Sequence, residues 1–300
     1  MGALKPYIEV PTGKLDPHGQ EILAIGPNPV KDHVRGFHFS PNFDARLTAG
    51  AVVGANGAAE LEFVIDSQGH FDWTHIVGQS TGAYTVLFSD VMGNDLSNRP
   101  IHNLNIVGNA RRPFKLPEPY FFNVGATERR MIAHIRDLSG SENTVRLNLY
   151  GRRYYVRENL PDVGQRISEA FGSGYRCASY FLTVKEANQD GTPPTIAGNG
   201  VGTFTFAADH DSDTQLMKMM VSSTGVFSFN IREKDSDRRF SNEAIHSDVG
   251  LGSAQFPFMI ADGDGWLLRK NKELLIDITD LSGNTNTIYL ALAARLLRVR

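Results

Sequence analysis

The 300-residue chain has one cysteine, Cys177, so no internal disulfide can form and the fold is expected to suit a reducing compartment. No apolar run approaches the roughly 20 residues that a membrane-crossing helix needs. The opening MGALKPYIEVPTG lacks the charged-then-apolar layout of an export signal, so the chain reads as soluble and not exported, with no membrane partner. Positive charge is not in excess: 30 Lys and Arg stand against 33 Asp and Glu, a formal net charge of −3, which argues against nucleic-acid binding by the whole chain. The nine histidines show neither HxH nor HExxH spacing, and there is no GxSxG, Walker-type loop or dinucleotide fingerprint. An enzyme would have no nucleus here, and no cofactor is expected. Long helical periodicity is absent as well, which disfavours a parallel α/β sheet.

What the chain does have, it has twice. DLSGSENTVRLNL begins at Asp137 and DLSGNTNTIYLAL at Asp280, 143 residues later, with eight of thirteen positions identical. The same spacing separates Thr81-Gly82 from Thr224-Gly225. Ile101-His102 and Ile245-His246, like Pro113-Phe114 and Pro257-Phe258, stand 144 apart, a one-residue slip in a loop. Two diverged copies of one unit explain this register. After each DLSG the large aliphatics fall at every second position, Val145, Leu147, Leu149 and Ile288, Leu290, Leu292, which predicts a strand with one buried face. Similar alternation before each loop makes the unit a hairpin. Asp137, Gly140, Asn143 and their counterparts Asp280, Gly283, Asn286 are its turn residues, because short polar side chains bond nearby backbone and glycine tolerates positive φ. Turn chemistry is preferred for them over catalysis or ligation.

The pattern predicts an all-β chain of two tandem antiparallel β-sandwich domains, jelly-roll-like, with an extended N-terminal arm. The arm is residues 1–36, where five prolines disfavour helix and central strand. The first sandwich is 37–156. Residues 157–178 read as a linker with a short helix that Asp162 would cap and Gly172 would end, and the second sandwich is 179–300. Within the first sandwich Leu104–Val107 reads as a strand. Cys177 follows the linker helix without a neighbouring histidine, so a small buried thiol is favoured over a nucleophile.

Asp209, Asp211 and Asp213 alternate as a hard cation would require. The match fails where a calcium loop wants Gly and Glu, since Thr214 and Met220 stand there, and the first copy has Asp66, Gln68 and His70 instead. A polar inter-strand loop is therefore preferred to a metal site, and turn residues likewise suffice for Asp262 and Asp264, a pair of carboxylates that a hydrolase could use. His102 and His246 match across the repeat and are read as structural. Trp73 and Trp266 are the ligand-binding candidates for a carbohydrate platform, but they do not match across the repeat, and core packing is preferred for each.

Taken together, Ile65-Asp66, Thr81-Gly82, Leu96-Ser97-Asn98, Pro113-Phe114, Pro117-Glu118, Asp137 to Asn143 and Gly151 to Tyr154 resemble the motif set of small β-sandwich structural proteins from the virions of tailed bacteriophages. The likeness covers most of residues 60–155 and, more faintly, 204–298. It departs at Gln68-Gly69, before Met131 and in the unmatched arm. The resemblance implies a non-enzymatic component of the capsid surface, neck, collar or tail, made in the host bacterial cytoplasm. It would assemble as a homo-oligomer in symmetric copies beside capsid, portal, neck or tail subunits. A carbohydrate-binding module for host attachment is the alternative.

Overall fold

The computed structural model describes residues 7–15, 21–27, 34–38, 48–64, 69–91, 93–122, 130–156, 175–183, 194–207, 212–236, 238–260 and 265–299. The arm is extended and folded back on itself: β1 (Tyr7–Leu15) pairs antiparallel with β2 (Glu21–Pro27). β3 (Val34–His38) does not belong to that ribbon. It lies along the last residues of the long strand β11 (Asn143–Val156), so Val34 to Gly36 belong to the sandwich rather than to the arm.

Eight further strands build the first sandwich with β3. β4 (Thr48–Val53), β6 (Gly69–Ser80), β9 (Phe114–Phe122) and β11 form one sheet in the order β4-β11-β6-β9. β5 (Ala58–Val64), β7 (Tyr84–Asp90), β8 (Ile101–His102) and β10 (Arg130–Asp137) form the other, in the order β5-β10-β7-β8. Counted along the chain from β4, strands 1-8-3-6 face strands 2-7-4-5, which is the connectivity of a jelly roll. In β10 the buried apolar residues are Met131, Ala133 and Ile135, and in β11 Val145, Leu147 and Leu149, so the period-two pattern aims each inner face at one core.

The second sandwich repeats the order. β13 (Thr195–Ile196), β15 (Asp213–Ser223), β18 (Phe258–Met259) and β21 (Asn286–Val299) make one sheet, with β19 (Trp266–Leu268) also on β15. β14 (Val201–Ala207), β16 (Phe227–Glu233), β17 (Ile245–His246) and β20 (Glu273–Asp280) make the other. β12 (Tyr175–Thr183) pairs with β21 as β3 pairs with β11: Cys177 faces Leu297 as Gly36 faces Tyr154. Even irregularities repeat. β6 and β15 each carry one extra residue against the neighbouring long strand, Thr74 and Met217, 143 positions apart.

Two readings change. Leu104–Val107 is not a strand, because His102 Nδ1 accepts from Leu104 N and Val107 N donates to Asn103 O. Together they close one helical turn, α1 (Asn103–Ile106), which α2 (Ser247–Gly250) matches after His246. The strand β12 opens at Tyr175, inside the stretch read as linker. Asp162 to Gly172 lie outside the described residues.

Candidate functional site

Each Asp-Leu-Ser-Gly turn is built on a buried carboxylate and a buried amide. Asp137 Oδ1 accepts from Ser139 Oγ (2.7 Å) and Asn143 Nδ2 (3.0 Å). Its Oδ2 accepts from Asn56 N (3.0 Å) and Gly140 N (3.1 Å). Asn143, fully buried, spends its other positions on a second turn: Oδ1 accepts from Gly82 N (3.0 Å) and Thr81 Oγ1 (3.2 Å), and Nδ2 donates to Ala83 O (3.2 Å). Three loops at one end of the sandwich, around residues 56, 82 and 140, are thereby tied to one pair of side chains.

The second copy reproduces this. Asp280 accepts from Ser282 Oγ (2.8 Å), Asn286 Nδ2 (3.0 Å), Asn199 N (2.9 Å) and Gly283 N (3.0 Å), and Asn286 Oδ1 accepts from Gly225 N (2.9 Å). Gly140 and Gly283 adopt φ of 69° and 73°, which other residues avoid. Gly82 and Gly225 are glycine for another reason: a Cβ would stand 2.5 and 2.6 Å from the Cβ of Ser139 and Ser282. Burial alone would raise the Asp280 carboxyl. The hydrogen bonds from Asn199, Ser282 and Asn286 overcome it and hold the group down to about 2; Asp137 is shifted the same way, by Ser139, Asn56 and Asn143. Both carboxylates are ionised at neutral pH, and the bonds they accept come from the turns they hold.

Trp73 is wholly buried, packed on Phe88 (centroids 5.2 Å apart) and Tyr120, with Nε1 donating to His75 O (2.8 Å). Trp266 is 7% exposed, stacked on Phe240 at 6.0 Å with the Arg238 guanidinium over its ring. Neither ring offers the open face that a sugar platform needs. Asp213 accepts from Arg269 Nη1 (2.7 Å) and Lys270 N (3.0 Å), which lower its pKa, while Asp209, Asp211, Asp262 and Asp264 lie outside the described residues. Among the described residues no group of three His, Cys, Asp or Glu could hold a metal.

The feature that the sequence did not announce is the junction between the sandwiches. Loop, helix and strand from residues 96–118 of the first lie against β12, β15 and β21 of the second. Phe181 N donates to Leu96 O (2.8 Å), while Asn98 takes Thr183 N on Oδ1 (2.8 Å) and gives Nδ2 to Thr183 O (3.1 Å). Asn105, 1% exposed, donates to Tyr289 O (2.7 Å), and the ring of His102 lies 4.5 Å from that of Tyr289. Lys218 Nζ donates to Lys115 O (2.6 Å) beneath the face of Phe114, and Arg295 pairs with Glu118 at 2.5 Å. Phe181, Met220, Ala291 and Ala293 complete the first sandwich's apolar core from the second. Burial lowers His102 to about 4, and burial with the nearby Lys115 charge lowers Lys218 to about 8.

No family model and no curated protein sequence matches the chain. Among solved structures, a chain of the Sulfolobus turreted icosahedral virus is similar at 9% identity and a TM-score of 0.25, covering 83% of this chain and 59% of that one. A triple jelly-roll protein of an archaeal virus turret is similar at 11% identity and a TM-score of 0.26, with the same coverage. The plant receptor-like kinase ANX2 matches at 8% identity and a TM-score of 0.26, covering 95% of this chain and 93% of that one. The chain thus spans somewhat over half the length of the two viral chains.

Proposed function

We propose that the chain is a non-enzymatic structural component of a virus particle, more finely of a tailed bacteriophage virion, built into its surface, neck, collar or tail in symmetric copies. One observation carries the reading. Four of the seven motifs through which the sequence resembles phage virion β-sandwich proteins, Thr81-Gly82, Leu96-Ser97-Asn98, Pro113-Phe114 and Asp137 to Asn143, lock turns or join sandwiches, which is the use a scaffold makes of such residues, while Ile65-Asp66 lie outside the described residues. The partners are other particle subunits, and the work is mechanical: surface buried against neighbours repeated around a closed symmetry.

Fractionation of an infected-cell lysate on a density gradient tests this, with the protein followed by antibody. Co-sedimentation with intact particles through a high-salt wash is expected. Recovery only in the soluble fraction would remove the reading.

A further inference from the structure

The junction between the two sandwiches joins different surfaces of a repeated unit. Asn105 meets Tyr289, and Asn98 meets Thr183. In the second sandwich the position matching Asn105 is Val249, and in the first the position matching Tyr289 is Arg146. If the two units were related by a half-turn, Arg146 and Val249 would also touch; instead Val249 is 75% exposed and Arg146 is exposed. One contact does join matching positions, Arg112 with its guanidinium 3.8 Å from the ring centre of Phe256. Matching residues meet only near a rotation axis, so the relation has the character of a turn of less than 180° about an axis beside Arg112 and Phe256.

In such a junction each sandwich uses a different one of its two surfaces, and the described residues show the difference in burial. Ile101 and His102 are buried in the first sandwich, while Ile245 and His246, in the same local fold, are only half-buried. The sheet face shows the converse. Ala291 and Ala293 are fully buried, and their counterparts Asn148 and Tyr150 in the first sandwich are half-buried. The positions that make the contact inside the chain are thus less deeply buried in the copy that does not use them for it. An aliphatic residue at Val249, where the first copy has a buried asparagine, leaves apolar surface in the open.

We infer that the occupant is a second copy of this chain. The α2 face of one copy docks on the β6 and β11 face of the next, in the geometry by which the first sandwich docks on the second, and repetition about the same axis closes a ring of whole chains. This rests on the structural reading above only for where the ring serves; the contact itself is read from the duplication.

The test uses the full-length protein. Sedimentation velocity is expected to give one discrete species at an integral multiple of 33.1 kDa. Val249→Asp is expected to reduce it to the monomer, while Val201→Asp, equally exposed but on strand β14 away from the junction, leaves the multimer intact. In a protein whose native Cys177 is replaced by Ala, oxidation of Arg146→Cys and Val249→Cys together should give a ladder of covalent multiples on a non-reducing gel, absent from either single variant. A wild-type protein that stays monomeric, or a multimer indifferent to Val249→Asp, would overturn the inference. So would Val249→Cys cross-linking alone, the mark of a two-fold contact. A ring-forming protein missing from particles keeps the contact and removes the virion reading. A particle-bound protein that fails these tests does the reverse.

Discussion

Asn143 and Asn286 bring every hydrogen-bonding position of the amide into use, two donated and two accepted, in sites with no exposed surface. Replacing Asn143 by Ala strands two loops at once, and a loss of about 2 to 3 kcal/mol in urea unfolding is expected. The isosteric Asn143→Asp keeps the shape but sets a second carboxylate against Asp137. Its destabilisation should therefore shrink as the solution is acidified through the carboxylate range, whereas that of the alanine variant should not. The wild-type locks have their own acid limit. Asp280 has a folded pKa of about 2, below its ordinary value near 3.8, so its contribution is complete above about pH 4 and is lost as pH falls toward 2. Asp280→Asn should flatten the stability profile in that window and nowhere above it.

At the scale of elements, the one-turn helix α1 and the strands β12 and β21 carry the junction, and His102 is one of its titratable members. Its folded pKa is lowered to about 4, so the stabilisation is full above about pH 6.5, is lost progressively as pH falls toward 4, and is then constant. The loss is on the order of 3 kcal/mol. His102→Asn keeps a cap for Leu104 N without a titrating ring, and its unfolding profile should be flatter than the wild type between those limits.

These elements were unequally legible. The DLSG hairpins announced themselves through strict alternation and turn chemistry that depends on neighbours a few residues away. α1 did not, because Leu104, Ile106 and their polar neighbours mimic a strand and the capping nitrogen of His102 decides the outcome. β4 gives little signal either, because its run of small residues, TAGAVV, carries no strong period. Asn105 gave no signal at all, since its partner lies 184 residues away and only the packing of one sandwich on the other brings the two together.

For the whole molecule, the core of the first sandwich is closed by Phe181 and Met220 of the second, so the domains that the repeat divides are not independent in energy. Phe181→Ala is expected to cost about 3 to 5 kcal/mol, and calorimetry should resolve the melt of this variant into two transitions where the wild type gives one. The duplication thus joined two jelly rolls by a contact that does not use the faces a half-turn would pair. Quantitative mass spectrometry of purified particles, with labelled peptides of this chain and of the most abundant particle protein, tests the central claim most directly. A fixed copy number that is the same in independent preparations and survives washing is the result expected. A protein abundant in the lysate but absent from the particles, or present at a ratio that drifts with each preparation, would contradict it.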